Sequence, residues 1–135
     1  LREETGLKIG VVAVKCFRPF PVEAMGEALK GAKTVVVLER TLAVGSGGVL
    51  SRDIMVSLKE PNVTRYTVIA GLGGRAITKA SIKSMLKDAA AHKLKVLNFM
   101  DLDEELVERQ LERERKTRKS GPLPEALIRD AATRQ

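Results

Sequence analysis

The chain has few of the residues on which several classes of functional site depend. Its 135 residues contain one Cys, one His, one Tyr and no Trp, and aromatic side chains make up 3%. A disulfide framework needs paired cysteines, and a zinc site or iron–sulfur cluster held within one chain needs about four Cys or His ligands. The shortage of rings also disfavours single-stranded nucleic-acid binding, which uses several stacking side chains.

Long apolar runs are missing as well. No segment approaches the roughly 20 apolar residues of a membrane-spanning helix, and there is no signal-peptide pattern. Hydrophobic residues make up 44% and charged residues 30%, which is typical of a globular domain and not of a disordered chain. These features predict a cytoplasmic protein that has one globular domain and does not associate with a membrane.

Positive charge is in excess and is unevenly distributed. Residues 1–100 contain 16 Lys and Arg against 8 Asp and Glu, whereas residues 101–135 contain 8 against 9. A basic globular part fits phosphates, CoA-like ligands or an acidic protein surface, although general solubility explains it as well. Nucleic-acid binding is the weakest interpretation, because the tail is nearly neutral and aromatic side chains are scarce.

The order of apolar segments predicts the fold class. Four short runs rich in Val and Ile recur: Ile9–Val14, Val35–Leu38, Tyr66–Ala70 and Val96–Phe99. None alternates strictly between apolar and polar residues, which is typical of parallel strands covered on both faces. Helical patterns separate them, one after Pro21, one over Val49–Leu58 and one that Thr78 caps. The alternation predicts an open, doubly wound, mostly parallel α/β sheet.

Both ends of the sequence suggest additional structure. Residues 1–6 have the pattern of the last turn of a helix that Gly6 closes, which predicts upstream sequence carrying a further strand; a short frayed terminus is the alternative. From Asp101, a predicted N-cap, a helix begins that packs on its own domain, packs on a partner subunit or frays; its narrow apolar stripe is a candidate subunit contact. The stripe consists of Leu102, Leu106 and Leu111. We therefore predict an α/β domain over 1–100 and a helical extension over 101–135.

Three loops that follow the predicted strands carry the residues best suited to binding. Ligands of open α/β sheets lie at the carboxyl ends of the strands. Two of these loops have a G-x-G-G pattern, which allows close backbone approach before a helix N-terminus, where free N–H groups can hold a phosphate or carboxylate. The candidate anion- or partner-binding residues are Arg18, Arg40, Gly45, Ser46, Gly47, Gly48, Gly73, Gly74 and Arg75.

Simpler explanations exist for these residues. The glycine loops could be tight turns, and the arginines could form surface ion pairs, with Glu39 as one partner. The loops lack the complete Gly-x-Gly-x-x-Gly spacing and any Gly-Lys-Ser/Thr phosphate loop. We expect His92 at a helix C-terminus and Cys16 in the core, while Ser46 has no recognisable base for nucleophilic attack. No catalytic residue and no metal site is predicted.

Several motifs in order give residues 1–100 a family resemblance. They are Lys8 to Pro21, which ends in Phe-Arg-Pro-Phe-Pro, then Glu39-Arg40, the Gly45–Gly48 loop, and Val68 to Arg75 with the sequence Val-Ile-Ala-Gly-Leu-Gly-Gly-Arg. The chain resembles the α chain, or α region, of the 2-oxoacid:ferredoxin oxidoreductases (pyruvate:ferredoxin oxidoreductase or pyruvate synthase). The similar part is their transketolase C-terminal-like domain, whose first strand and most of whose first helix would precede residue 1. The extension after Asp101 departs from the family pattern and leaves the 2-oxoacid open.

The resemblance implies an enzyme complex and a non-catalytic role for this segment. Such a complex decarboxylates a 2-oxoacid, here with pyruvate as the expected substrate, on thiamine diphosphate and Mg²⁺; iron–sulfur clusters pass electrons to ferredoxin, and CoA takes the acyl group. The cofactors lie on other domains or chains, so we expect this segment to bind none of them alone. Its expected partners are the other subunits, and ferredoxin through the complex. The alternative is an α/β module that binds a small anion such as CoA or a nucleotide phosphate.

Overall fold

The computed structural model describes residues 2–117, and the chain divides into two compact units between Asp101 and Leu102. The predicted extension beyond residue 117 lies outside the described residues. The first unit contains the helices α1 (Arg2–Thr5), α2 (Val22–Ala28), α3 (Val49–Ser57) and α4 (Lys79–Ala90), the strands β1 (Thr34–Glu39), β2 (Thr64–Ile69) and β3 (Leu97–Phe99), and a 3-10 turn over Leu72–Gly74. In the second unit, α5 spans Glu104–Thr117.

The three strands form one parallel sheet in the order β1–β2–β3. Six residue pairs join β1 to β2, and three pairs join β2 to β3. Helices connect the successive strands, as parallel pairing requires, because a short hairpin can join only antiparallel neighbours. The prediction of an open, mostly parallel α/β sheet is confirmed.

The core lies between the sheet and the helices α2 and α3. Val35 and Val37, which share one face of β1 because strand side chains alternate, pack there with Met25, Ile54 and Val63. All five side chains are at most 8% exposed. This packing explains why α2 and α3 carry apolar residues at helical spacing.

Helix α4 covers the opposite face of the sheet. Tyr66 pairs with Val36 in the strand register and therefore faces away from the α3 side. Its hydroxyl lies 3.2 Å from Nδ1 of His92, which follows α4. The helix begins where predicted, because Oγ1 of Thr78 accepts a hydrogen bond from the Ser81 N–H at 3.0 Å.

Helix α1 is short, and hydrogen bonds close its C-terminus and join it to α4. Gly6 closes it with a φ of 66°, and its N–H donates to the Arg2 carbonyl at 2.9 Å, as the terminal pattern predicts. The carboxylate of Glu4 accepts a hydrogen bond from the ammonium of Lys83 on α4. This hydrogen bond and the positive charge of Lys83 hold the pKa of Glu4 below its ordinary value.

The predicted strand Ile9–Val14 is wrong. This stretch is neither helix nor strand, and within the part of the chain that is described no backbone hydrogen bond joins residues 8–15 to another segment. Val11 is 91% exposed, although Val14 packs against the core. A Val-rich composition favours extended backbone, but a strand also needs a partner that completes the hydrogen-bond ladder.

Two local predictions also fail. Cys16 is exposed and does not belong to the core, because the strand that would bury it does not form. Asp101 does not cap the last helix; its φ is 56°, and Oδ1 of Asp103 instead accepts a hydrogen bond from the Leu106 N–H at 2.9 Å. Leu102 therefore precedes α5 and is not part of it.

Candidate functional site

The parallel sheet places two of the predicted loops at the same edge, which we call the carboxyl edge. It comprises Arg40, residues 43–48 and residues 70–75, all of which follow the carboxyl end of β1 or β2. Arg40 lies against Gly71, whose φ is 72°; a Cβ at Gly71 would be 3.2 Å from Nε of Arg40. Arg40 makes no hydrogen bond or ion pair with another residue of 2–117.

Glu39, the last residue of β1, closes the first glycine loop. Its Oε2 accepts a hydrogen bond from the Leu50 N–H at 2.9 Å, and its Oε1 accepts from the Ser51 N–H at 3.0 Å and from the Ser51 hydroxyl at 2.5 Å. These donors stand at the N-terminus of α3, where unpaired N–H groups and the helix dipole favour an anion. Glu39 is 9% exposed, so a carboxylate of the chain itself is the anion at this helix end.

Gly48 provides the space for that carboxylate. A Cβ at Gly48 would lie 1.8 Å from Oε1 of Glu39 and 2.8 Å from Oγ of Ser51. The φ of Gly48 is −78°, so the position requires the absence of a side chain and not an unusual backbone. An external phosphate at the N-terminus of α3 would have to displace Glu39.

The other residues of the first loop form a tight turn. Ala43 and Gly47 exchange two backbone hydrogen bonds of 2.8 Å, and the Ser46 hydroxyl accepts a hydrogen bond from Arg52. Val44 at the tip is 97% exposed. The turn therefore presents an apolar side chain at the carboxyl edge. Glycine is needed in both loops, because left-handed φ values between 64° and 81° occur at five positions: Gly45, Gly47, Gly71, Gly73 and Gly74.

Arg18 and Arg75 are held by contacts within the chain. Nη1 of Arg18 donates to the Phe17 carbonyl at 2.7 Å and to Oδ2 of Asp53 at 2.8 Å, and its guanidinium lies 4.1 Å from the Phe17 ring centre. Arg75 donates to the backbone carbonyl of Asp101. Of the three predicted arginines, only Arg40 lacks a polar partner among residues 2–117.

Sequence reasoning did not identify two of these partners. The simpler explanation of the arginines, surface ion pairs, names Glu39 as a partner, but Glu39 instead caps α3, and Arg18 pairs with Asp53. The usable signal for Glu39 is an acidic residue that ends an apolar strand, followed by Gly47-Gly48 immediately before a helix. Asp53 has no such signal, because its distance from Arg18 is set by the packing of α3.

The predicted leucine stripe is solvent-accessible in the second unit. Leu106 and Leu111 lie on α5 and Leu102 lies just before it, with exposures between 44% and 47%.

Within residues 2–117, no group of three or more Asp, Glu, His or Cys side chains could hold a metal ion. No helix in the same range is long and apolar enough to cross a membrane.

Comparison with known proteins identifies the family. Residues 1–82 match the pyruvate:ferredoxin oxidoreductase core domain II. The chain belongs to this family. The resemblance inferred from the Phe-Arg-Pro-Phe-Pro and Gly-Leu-Gly-Gly-Arg motifs is therefore confirmed, and the observed parallel α/β sheet is consistent with it.

Several named relatives match as well. Pyruvate synthase subunit PorA of Thermotoga maritima is 40% identical over 93 residues, which make up 66% of this chain and 23% of the relative. Ketoisovalerate oxidoreductase subunit VorA of Pyrococcus furiosus is 35% identical over 117 residues, or 84% of this chain and 28% of the relative. PorA of Methanothermobacter thermautotrophicus is 36% identical over 84 residues, or 62% of this chain and 21% of the relative. The chain thus spans about a quarter of the length of these relatives.

Proposed function

We propose that the chain is a non-catalytic assembly domain of a thiamine-diphosphate-dependent 2-oxoacid:ferredoxin oxidoreductase. That complex would convert a 2-oxoacid, CoA and oxidised ferredoxin to an acyl-CoA, CO₂ and reduced ferredoxin, with pyruvate as the 2-oxoacid. The observation that carries the proposal is the match of residues 1–82 to the oxidoreductase core domain II. The relatives named as PorA and VorA subunits support companion subunits as partners. We further propose that ferredoxin binds through the complex and that the complex acts in the cytoplasm.

The cofactors of the complex are proposed to lie outside this chain. Thiamine diphosphate would supply the decarboxylation chemistry, but the described residues do not fit it or its Mg²⁺. Glu39 fills the N-terminus of α3, where a diphosphate would meet a carboxylate, and residues 2–117 contain no cluster of acidic ligands for the metal. Iron–sulfur clusters and CoA are likewise assigned to other parts of the complex, so we expect the chain alone to be inactive.

A further strand from the same polypeptide is proposed to complete the domain over residues 1–100. Two observations on residues 2–117 support it: β1 has no hydrogen-bonded neighbour on the edge away from β2, and no backbone hydrogen bond joins residues 8–15 to another segment. In the full-length subunit, the backbone amides of β1 that face this edge should exchange slowly with solvent. Rapid exchange of those amides would contradict the added strand.

The carboxyl edge and the leucine stripe are proposed as contacts with companion subunits. At the carboxyl edge, Val44 is 97% exposed and Leu72 is 45% exposed, and Arg40 lacks a polar partner among residues 2–117. Exposed apolar side chains on the same edge as an arginine are compatible with a protein–protein interface, where Arg is enriched. The alternative function, binding of a small anion such as CoA, has less support, because one of the two predicted anion sites holds Glu39.

Reconstitution of the complex tests the proposal. The full-length subunit and its companion subunits are co-expressed, and CoA-dependent ferredoxin reduction is measured with pyruvate and with ketoisovalerate. We expect ferredoxin reduction only by the assembled complex, with the highest rate on pyruvate. Val44→Asp should weaken assembly, whereas Ser84→Asp, which adds the same charge at an exposed position of α4, should not. Failure to bind any companion subunit, or CoA binding to the isolated chain that Arg40→Ala weakens, would contradict the assembly role.

A further inference from the structure

A groove opens at the other end of the sheet, near the amino ends of the strands. It encloses about 230 Å³ and is lined by residues of α3, β1 and β2, together with Val63 and Val96, which precede β2 and β3. Most of its lining is apolar and includes Val35, Ile54, Met55, Leu58, Val63 and Val96. Val96 is 80% exposed and Met55 is 51% exposed. Arg40, residues 43–48 and residues 70–75 do not line this groove, but Ser51, a hydrogen-bond donor to Glu39, does.

The central strand β2 has polar side chains toward this groove. The side chains of Arg65 and Thr67 are on the groove side, and Tyr66 between them also lines the groove. On the α4 side of the same strand, Tyr66 and Val68 are only 7% and 1% exposed. A central parallel strand that its own domain covers on both faces is expected to be apolar on both. The difference between the two faces of β2 therefore indicates that α3 leaves the amino-terminal half of the strand open on its side.

Arg65 determines what can cover the groove. It is the one charged residue in the lining, and it makes no ion pair or hydrogen bond through its side chain to another residue of 2–117. An occupant that seals the apolar lining removes water from the guanidinium, and a charge without water needs an opposite charge. The nearby loops carry Lys59 and Lys95, against a single acidic residue, Glu60.

We propose that this groove binds an apolar segment of a companion subunit that carries a carboxylate for Arg65. The lining fits the core of a protein–protein interface, which is apolar and in which Met and Arg are enriched, here Met55 and Arg65. A nucleic acid fits poorly, because the groove offers no exposed ring on which a base could stack; Tyr66 is buried. The inference rests on the proposed function only in taking the partner to be another subunit of the same complex.

The test uses the full-length subunit with its companions and measures the dissociation constant of the complex. Arg65→Glu is expected to weaken assembly about tenfold or more, because it places a like charge opposite the partner's carboxylate. Arg65→Lys should retain most of the affinity, and Val96→Ser should weaken it by a smaller factor. Lys79→Glu makes the same charge change on α4, away from the groove, and serves as the matched control.

Each outcome decides the inference. Weaker assembly for Arg65→Glu and Val96→Ser with unchanged Lys79→Glu supports it, and thermal unfolding of each variant shows that the domain remains folded. If Arg65→Glu does not fold, Arg65→Ala and Val96→Ser decide in its place. If Lys79→Glu weakens assembly as much as Arg65→Glu does, the effect comes from overall charge and the inference is overturned. The inference is also overturned if the subunit self-associates and Arg65→Glu abolishes the self-association, because the groove would then bind a second copy of the chain. If the wild-type complex forms and the groove variants assemble normally with the companion subunits, this inference fails and the proposed function stands. If the wild-type subunit binds no companion subunit, the proposed function fails as well.

Discussion

The two glycine loops of the carboxyl edge have the same sequence pattern and different structures. In the first, Gly48 admits the buried carboxylate of Glu39, which accepts three hydrogen bonds at the start of α3. In the second, Gly71 lies under the exposed side chain of Arg40, and Arg75 reaches the Asp101 carbonyl. The first loop is thus fixed by a buried charge, and the second by long side chains at the surface.

This difference shows that a G-x-G-G pattern before a helix does not by itself indicate an external ligand. Close backbone approach and a helix N-terminus favour an anion, but the anion can come from the same chain. In the first loop, Gly48 leaves space for the Glu39 carboxylate and the N-terminus of α3 donates hydrogen bonds to it, which stabilises the domain. In the second loop, no carboxylate among residues 2–117 occupies the comparable position, so the two loops should respond differently to substitution.

The largest effect is expected for Gly48→Ala. The added methyl group would overlap Oε1 of Glu39, so the carboxylate must leave its three donors while it remains partly enclosed. A charged group that loses its hydrogen bonds in a buried site is costly, and we expect the free energy of unfolding to fall by about 3 kcal/mol. Denaturant unfolding measures this change, and Gly10→Ala, where a Cβ meets no atom within 4 Å, is the control.

Glu39→Ala should cost less than Gly48→Ala, about 2 kcal/mol, because the substitution removes the charge together with its hydrogen bonds. It also empties the N-terminus of α3. Inorganic phosphate should therefore raise the melting temperature of Glu39→Ala more than that of the wild-type protein. Equal stabilisation of both proteins by phosphate would mean that Glu39 does not occupy an anion site.

Most of the fold follows from local sequence patterns, and the strand predicted wrongly is one whose formation depends on a non-local partner. Three strands and the helices after Pro21, Val49 and Thr78 form as predicted, because apolar spacing and capping act within a few residues. Ile9–Val14 has the composition of a strand, but whether it pairs depends on a neighbour that its own residues do not specify. The same limit applies to Glu39, which the sequence allows to pair with an arginine and which instead accepts hydrogen bonds from a helix terminus.

In the second loop, Gly71→Ala and Gly73→Ala separate backbone strain from packing. Both positions have a positive φ, 72° and 64°, so alanine should cost about 1 kcal/mol at each from the backbone alone. At Gly71 the methyl group would also meet Arg40 and Ile77 at 3.2 and 3.4 Å, whereas Gly73 has open space. In chemical unfolding, Gly71→Ala should therefore destabilise the domain more than Gly73→Ala. Because part of that extra cost comes from Arg40, it should be smaller when Gly71→Ala is combined with Arg40→Ala, as a double-mutant cycle can measure.

The smallest effect is expected for Arg75→Ala, which removes one exposed hydrogen bond to the Asp101 carbonyl. Such a bond contributes about 0.5–1 kcal/mol, and its loss should act locally. The Met100 N–H donates to the Ile69 carbonyl at 2.8 Å at the end of β3, so its hydrogen exchange should accelerate. Arg52→Ala, which removes the contact to Ser46 in the first loop, should leave Met100 unchanged. If Arg75→Ala lowered global stability as much as Gly48→Ala, the second loop would also depend on a buried contact, and the contrast between the two loops would be lost.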